Sequence, residues 1–285
     1  MRTGLAKVKN QVEINLDIEA FILEKDAKGE SYSQADIDFI NLYEGSGGQG
    51  SKGATGEGLL YEFYTPDYVV DLMWELALRH GYEGGTVLEP SCATGRLFRP
   101  AKDHTRKGNQ DCVGFEINPT SARIAEITYP GCIIYNHYFE TAFLQPPLFR
   151  QRLIKLKKST MLTDPHNKKV VYSPGWESWL LKYPFSLVIG NPPYGIYKNK
   201  YSSYFPDASK LRQIEIFFMY YGMKLLQKDG LLIYLTSSSF MRNHTGYLSG
   251  KQLLAEITDF VDAYRLPKVF RFSDVPTDIL IFRRK

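Results

Sequence analysis

Residues 185–193 read FSLVIGNPP, an unbroken apolar run that ends directly in Asn-Pro-Pro. Continuous apolar runs, rather than alternating ones, are typical of strands in a parallel sheet whose two faces are both covered by helices. Further short runs of this kind alternate with helical segments such as residues 119–129 and 215–227: TVLEPS (86–91), DCVGFEIN (111–118), CIIYN (132–136) and DGLLIYLTSS (229–238). The alternation predicts a doubly wound α/β domain with helices on both faces of the sheet.

The first part of the chain lacks this alternation. It contains two predicted helices and then a glycine-rich stretch, residues 44–58, which is either a flexible linker or a lid that closes over a ligand. We therefore divide the chain into an N-terminal helical and glycine-rich segment, residues 1–58, and an α/β domain, residues 59–285. The second predicted helix begins after Ser33 as its N-cap and has an apolar stripe of Ile37, Ile40 and Leu42.

A third predicted helix precedes the first strand of the α/β domain. Residues 67–82 read DYVVDLMWELALRHGY, an amphipathic pattern that Gly81 ends. The apolar positions Val69, Val70, Met73, Leu76 and Ala77 fall on one side of that helix.

Two insertions interrupt the regular alternation, near residues 146–184 and 197–212. The first carries a run of basic side chains: Arg150, Arg152, Lys155, Lys157, Lys158, Lys168 and Lys169. Such a run is either a solvated helix face or, in a protein that binds nucleic acid, a set of phosphate contacts.

Composition narrows the class of protein. Of the 285 residues 44% are hydrophobic, which suits a large core, and 35 Lys and Arg against 31 Asp and Glu indicate a polyanionic partner only weakly. The three cysteines, Cys92, Cys112 and Cys132, lack the close paired spacing of a zinc site, so we expect no metal and a reducing compartment. Without an apolar run resembling a signal peptide or a membrane span, the chain is expected to be cytoplasmic and to have no membrane partner.

Polar residues follow the predicted strands where the carboxyl ends of the strands meet. Ligands of open α/β sheets bind at this edge, near the point where strand order reverses. The small residues between Glu89 and Gly95 let the backbone pass close to a ligand. Glu116, at the end of the second strand, is placed to accept hydrogen bonds from both hydroxyls of a ribose. Taken alone, each of these two features is also compatible with an ordinary strand end.

The sharpest signal is the loop Asn191-Pro192-Pro193-Tyr194 after the fourth strand. Two prolines fix the backbone and have no N–H to donate, so the carbonyl groups of the turn stay free to accept hydrogen bonds. Asn191 adds a side-chain amide oxygen, and Tyr194 adds an aromatic face. These groups suit a planar ligand that carries an NH2 group, whose delocalised nitrogen lone pair becomes nucleophilic when acceptors bind its hydrogens.

These motifs resemble those of the adenine-specific DNA amino-methyltransferases, in the permutation whose cofactor motif comes first. The resemblance covers the chain after about residue 36 and extends to the large methylases of phages and mobile elements, through NLYEGSGG at residues 41–48 and the late strand sequences at residues 230–241 and 264–282. It implies a Rossmann-like class I methyltransferase fold with a mostly parallel seven-stranded sheet. Residues 59–285 would then be the catalytic domain, with S-adenosylmethionine as its cofactor and double-stranded DNA as its partner.

The resemblance also implies roles for individual residues. A flipped adenine would stack on Tyr194 while Asn191 and the Pro192 carbonyl hold its amino group. Asn136 stands where the family has an acid that binds the cofactor adenine, with Phe139 stacking nearby, and Ala93 stands where the family has glycine. The implied catalytic residues are Asn191, Pro192, Pro193 and Tyr194. The implied cofactor-binding residues are Tyr64, Thr65, Pro66, Glu89, Pro90, Ser91, Gly95, Glu116, Ile117, Asn136, Phe139 and Asn191.

Alternatives stay open on the sequence alone. Enzymes that methylate the N5 atom of protein glutamine or the N2 atom of RNA guanine share the Asn-Pro-Pro-Tyr motif, and a catalytically dead DNA-binding subunit would keep the same fold. Cytosine amino-methylation is less favoured because Ser usually replaces Asn191 in those enzymes. No separate target-recognition domain is evident in these 285 residues. Sequence specificity would therefore come from the insertions, from a separate specificity subunit, or from a fused domain, in a protein of bacterial, phage or mobile-element origin.

Overall fold

The computed structural model describes residues 10–45, 63–143, 184–198, 205–242, 245–270 and 274–285. The basic run of the first insertion and all but the first two residues of the glycine-rich stretch lie outside these ranges. The predictions made for those segments therefore stay predictions.

The described residues form a seven-stranded sheet in the order β3-β2-β1-β4-β5-β7-β6. The strands are β1 Val87–Glu89, β2 Cys112–Phe115, β3 Ile133–Tyr135, β4 Phe185–Gly190, β5 Leu226–Ser237, β6 Thr258–Arg265 and β7 Thr277–Arg284. Strands β1 to β5 are parallel, and β7 runs antiparallel to both of its neighbours, β5 and β6. The predicted doubly wound, mostly parallel sheet is confirmed.

Seven α-helices accompany these strands in the described ranges. They are α1 Gln11–Lys28, α2 Gln34–Ile40, α3 Asp67–Arg79, α4 Ala101–His104, α5 Pro119–Thr128, α6 Ile214–Leu225 and α7 Thr245–Ile257. Ser33 caps α2 as predicted, because its hydroxyl accepts from the Asp36 N–H while the Asp36 carboxylate accepts from the Ser33 N–H. The predicted apolar stripe of this helix is wrong at Leu42, which lies beyond the end of α2 and is 55% exposed.

Buried side chains cover the two faces of the sheet. Successive residues of a strand point to opposite faces, so Val188 packs in the cluster that contains α6, and Leu187 and Ile189 pack in the cluster that contains α3. All five apolar positions predicted for α3 are buried. Helices α1 and α2 form a third, smaller cluster with Tyr64 and α5.

The second insertion is anchored at both ends. Ile196 and Gln213 form an antiparallel bridge, and the Tyr197 N–H donates to the Arg212 carbonyl oxygen at 2.7 Å. Three of its described residues, Tyr197, Phe205 and Leu211, are buried in the core on the α6 face. The insertion therefore leaves and rejoins the domain directly after the Asn-Pro-Pro-Tyr loop. Among the described helices, none is long and apolar enough to cross a lipid bilayer.

Candidate active site

The candidate site lies where strand order reverses, between β1 and β4. These strands are neighbours, with Leu88 opposite Val188, although about a hundred residues separate them in the chain. Parallel strands end at the same edge, so the loop after β1, residues 90–95, lies beside the NPPY loop, residues 191–194. The Ser91 Oγ atom lies 3.5 Å from the Asn191 carbonyl oxygen. The predicted cofactor loop and the NPPY loop thus lie side by side.

A cleft with about 290 Å³ of empty space opens between these loops. It is lined by Phe63, Tyr64, Thr65, Glu89, Ser91, Cys92, Ala93, Thr94, Arg96, Leu97 and Asn191. Five of the residues predicted to bind a cofactor are in this lining, namely Tyr64, Thr65, Glu89, Ser91 and Asn191. Pro66, Pro90, Gly95, Glu116, Ile117, Asn136 and Phe139 are not in it.

The loop after β1 bends sharply at two positions. Ala93 has a φ of 46°, in the left-handed region that favours glycine, and Gly95 has a φ of 79°. A Cβ atom on Gly95 would lie 2.9 Å from the Tyr129 ring and 3.1 Å from the Ala125 side chain. Gly95 therefore allows the loop to pack closely on α5, whereas Ala93 adopts a strained backbone conformation.

Glu89 places a buried carboxylate in the cleft. Its side chain is 3% exposed, and its Oε2 atom has no hydrogen-bond partner in the described structure. Burial, together with the neighbouring negative charge of Glu116, raises the pKa of Glu89 well above its ordinary value. An unpartnered buried acceptor carries a free-energy cost that a ligand donor would remove, so the cleft favours a ligand with an amino or ammonium group.

Glu116 follows β2 and is held by backbone donors. Its Oε2 atom accepts from the Ala93 N–H at 2.9 Å, and its Oε1 atom accepts from the Asn118 N–H at 2.7 Å. The Asn136 side chain, which follows β3, donates from Nδ2 to the Glu116 carbonyl oxygen at 2.8 Å. These bonds join the ends of β2 and β3 to the loop after β1. Glu116 and Asn136 thus lie at the same sheet edge as the cleft.

Phe139 lies elsewhere. It is 2% exposed, and its ring contacts Phe115 and Phe143 edge-on, with centroids 5.8 Å away, and Phe218 at 5.2 Å. Its place is in the hydrophobic core on the α6 face. The structure therefore does not bring Phe139 to the cleft, where the sequence analysis expects it to stack on a ligand.

The NPPY loop has an internal hydrogen-bond network. Asn191 donates from Nδ2 to the Phe63 carbonyl oxygen at 2.9 Å, and its Oδ1 atom accepts from the Tyr194 hydroxyl at 2.7 Å. Burial, and then the negative charge of Glu215, raise the pKa of Tyr194 well above its ordinary value, so the hydroxyl stays protonated and able to donate. The loop is thereby bonded to the segment before α3.

Sequence reasoning did not single out Arg96. Its guanidinium forms an ion pair with Glu44 at 2.8 Å and donates to the Tyr43 carbonyl oxygen at 3.2 Å. It also lies 5.5 Å from the centre of the Tyr64 ring. Arg96 therefore connects the N-terminal helical segment to the wall of the cleft. The only sequence signal was its position directly after Gly95.

Strand order and the strand-end cleft define a class I methyltransferase fold. Solved structures with this fold include a type I restriction-modification methyltransferase subunit from Streptococcus thermophilus (19% identity, TM-score 0.57, 88% of this chain and 48% of that one). The DrdV–DNA complex also matches (15% identity, TM-score 0.58, 98% of this chain and 30% of that one). A protein from Listeria monocytogenes described as a class I S-adenosylmethionine-dependent methyltransferase matches as well (13% identity, TM-score 0.54, 98% of this chain and 69% of that one). This chain thus spans less than half the length of the first two.

The family is shown by sequence. The profile of the Eco57I restriction-modification methylases matches residues 110–270, more than half of the chain, and the chain belongs to this family. The matched region runs from just before β2 to beyond β6 and includes the NPPY loop. No curated protein matches the chain significantly.

Proposed function

We propose that this protein is a DNA methyltransferase that transfers a methyl group from S-adenosylmethionine to the N6 atom of adenine. The observation that carries the proposal is the position of Asn191, which lines the cleft and is also the first residue of the NPPY loop. One side chain can therefore touch both the cofactor and the target base. Membership of a family of restriction-modification methylases supports DNA as the substrate.

The cleft residues fit S-adenosylmethionine. The unpartnered Glu89 Oε2 atom suits the amino group of the methionine part. The Glu116 carboxylate, which lies at the same sheet edge but outside the cleft lining, suits the ribose hydroxyls. Tyr64 and Thr65 also line the cleft. When bound, the cofactor supplies a sulfonium-activated methyl group. The predicted contributions of Pro66, Pro90, Ile117 and Asn136 to this site rest on the family resemblance.

The NPPY loop would hold the target base. The Asn191 Oδ1 atom and the Pro192 carbonyl oxygen accept hydrogen bonds from the adenine amino group, which localises its lone pair, and the Tyr194 ring stacks on the flipped base. Asn191 Oδ1 accepts from the Tyr194 hydroxyl in the present structure, so this bond must break or be shared when the base enters. Catalysis on this account consists of alignment and exclusion of water.

Double-stranded DNA is the proposed substrate, because base flipping brings a buried amino group to a pocket at the protein surface. The described residues do not include the basic run of the first insertion, so its phosphate contacts stay a prediction. Sequence specificity would be supplied by the insertions, a separate specificity subunit or a fused domain. Since this chain covers less than half of two of the structures that share its fold, all three sources are compatible with the comparisons.

The proposal is tested by incubating the purified protein with tritiated S-adenosylmethionine and, separately, unmethylated DNA, RNA and protein substrates. Asn191→Ala is assayed in parallel, and Asn41→Ala, at the end of α2 and outside the cleft, is the matched control. Label in DNA that disappears only in Asn191→Ala is the expected result. Label in RNA or protein alone would contradict the proposal, and cofactor binding without any transfer would favour a subunit that needs a partner.

A further inference from the structure

Glu215 lies in the first turn of α6 and contacts Gly195, the residue that follows the NPPY loop. It is 1% exposed, although it carries a carboxylate and lies on a helix whose other residues, apart from Lys224 in the last turn, are uncharged. Buried carboxylates are costly unless hydrogen bonds satisfy them. Nothing in the proposed handling of cofactor or base uses this side chain, so its burial needs a separate explanation.

One oxygen of Glu215 holds the exit of the NPPY loop. The Gly195 N–H donates to Glu215 Oε2 at 3.3 Å, and the Gly195 carbonyl oxygen accepts from the Ile214 N–H at 2.8 Å. Gly195 has a φ of 122°, a backbone conformation that residues with side chains rarely adopt. Both polar groups of this glycine are therefore bonded to the start of α6.

The other oxygen of Glu215 is bonded to a different helix. Glu215 Oε1 accepts a hydrogen bond from the hydroxyl of Tyr247, which is 4% exposed and belongs to α7. Burial raises the pKa of the Glu215 carboxyl above its ordinary value, and the bonds from Tyr247 and Gly195 offset only part of that rise. The carboxylate thus lies between the NPPY loop and α7, with each oxygen bonded to one of them.

We propose that Glu215 is a positioning residue that sets the orientation of Tyr194 through the N–H of Gly195. The Tyr194 carbonyl group and the Gly195 N–H belong to one planar peptide unit, so a bond to the N–H fixes the plane that follows Tyr194. The ring of Tyr194 is attached to the same backbone. The functional part of the inference rests on the proposed base-stacking role of Tyr194, but the structural part does not.

Two substitutions of Glu215 separate the contribution of its hydrogen bonds from that of its negative charge. Glu215→Gln keeps an oxygen that can accept from Gly195 and an amide that can donate to the Tyr247 hydroxyl, whereas Glu215→Ala removes both bonds. Tyr247→Phe removes only the bond to α7. If Glu215 positions the loop, Glu215→Ala should disturb the loop most and Tyr247→Phe less. Glu215→Gln should stay closest to the wild type.

Hydrogen exchange at the Gly195 amide tests the structural part of the inference and does not require methyl transfer. We expect Glu215→Ala to raise that exchange rate by about tenfold or more, because a charge-assisted hydrogen bond is lost, and Glu215→Gln to stay within about threefold of wild type. Unchanged exchange at Gly195 in a folded Glu215→Ala protein would overturn the inference. If Glu215→Ala does not fold, the inference requires measurably faster exchange in Tyr247→Phe.

Methyl transfer to DNA tests the functional part. Glu215→Ala is expected to lower kcat by about 10- to 100-fold, as for a misplaced catalytic group, while the Kd for S-adenosylmethionine stays unchanged. Glu215→Gln should restore most of kcat. Equal losses in the two variants, or a matching loss of cofactor affinity, would contradict a positioning role. If wild-type protein transfers no methyl group, the proposed function fails and the exchange measurement still decides the structural inference.

Discussion

The amide of Asn191 joins two segments that lie 128 residues apart in the chain, because its Nδ2 atom donates to the carbonyl oxygen of Phe63 at 2.9 Å. Phe63 directly precedes Tyr64 and Thr65, which line the wall of the cleft proposed for the cofactor. The residue proposed to bind the target base is therefore bonded to the segment proposed to bind the cofactor. If these proposed roles hold, this bond would keep the target base and the cofactor in a fixed relative position, as catalysis by alignment requires.

Tyr194→Phe should leave methyl transfer within about threefold of wild type. This substitution removes the 2.7 Å bond to Asn191 Oδ1 but keeps the ring that stacks on the base. Tyr194→Ala removes the ring as well, and it should raise the KM for DNA by about tenfold or more, since stacking of a base on an aromatic ring contributes about 1–3 kcal/mol. Steady-state kinetics with DNA as the varied substrate checks both values. Equal losses in the two variants would show that the hydroxyl, rather than the ring, is required.

Glu89→Gln should stabilise the protein and weaken binding of S-adenosylmethionine. The folded-state pKa of Glu89 is raised above its ordinary value of 4.5. As pH rises above about 4.5, Glu89 therefore ionises more readily in the unfolded state, and the folded state loses stability. The gain in thermal stability of Glu89→Gln should therefore be present at neutral pH and shrink toward pH 4.5. Thermal unfolding across this range measures the gain.

Cofactor affinity provides the second readout for Glu89. A ligand ammonium group binds the ionised carboxylate better, so wild-type affinity should increase with pH until Glu89 is fully ionised, and Glu89→Gln should lack that dependence. Glu75→Gln is a suitable control because Glu75 is an exposed acid on α3 that pairs with Arg79. A tighter or unchanged Kd in Glu89→Gln at neutral pH would exclude the proposed contact with the cofactor amino group.

Ala93→Gly should raise the melting temperature slightly. Ala93 occupies the left-handed region at a φ of 46°, which costs a residue with a side chain about 1 kcal/mol relative to glycine. For a chain of this size that corresponds to a rise of about 2 °C, reduced by the greater entropy of glycine in the unfolded state. Gly95→Ala should act in the opposite direction, because the new methyl group would meet the Tyr129 ring. A lower melting temperature for Ala93→Gly would show that the loop relieves this strain in another way.

Much of this architecture was predictable because the parallel strands, β1 to β5, contain short apolar runs. Such runs specify buried parallel strands, and parallel strands bring their carboxyl ends together, which is why Glu89 and Asn191 could be expected at one edge. Side-chain orientations that tertiary packing decides were not predictable in this way. Phe139 is one of several aromatic residues after β3, and no local signal shows that this ring enters the core with Phe218.

Contacts that are distant in sequence were equally hidden. Arg123 on α5 pairs with Asp26 on α1 at 2.7 Å across 97 residues, and this pair helps to dock the N-terminal helices beside the cleft. A charged residue on an amphipathic helix is normally solvated, so neither side chain stood out. Arg96 was missed because its partner Glu44 lies in a different segment of the chain.

We propose that the NPPY loop directs methylation to the N6 atom of adenine. Nucleoside mass spectrometry of unmethylated DNA, after incubation with the protein and S-adenosylmethionine, measures this directly. We predict N6-methyladenine in the wild-type reaction and none with Asn191→Ala. N4-methylcytosine in place of N6-methyladenine, or N6-methyladenine that persists in Asn191→Ala, would contradict the account.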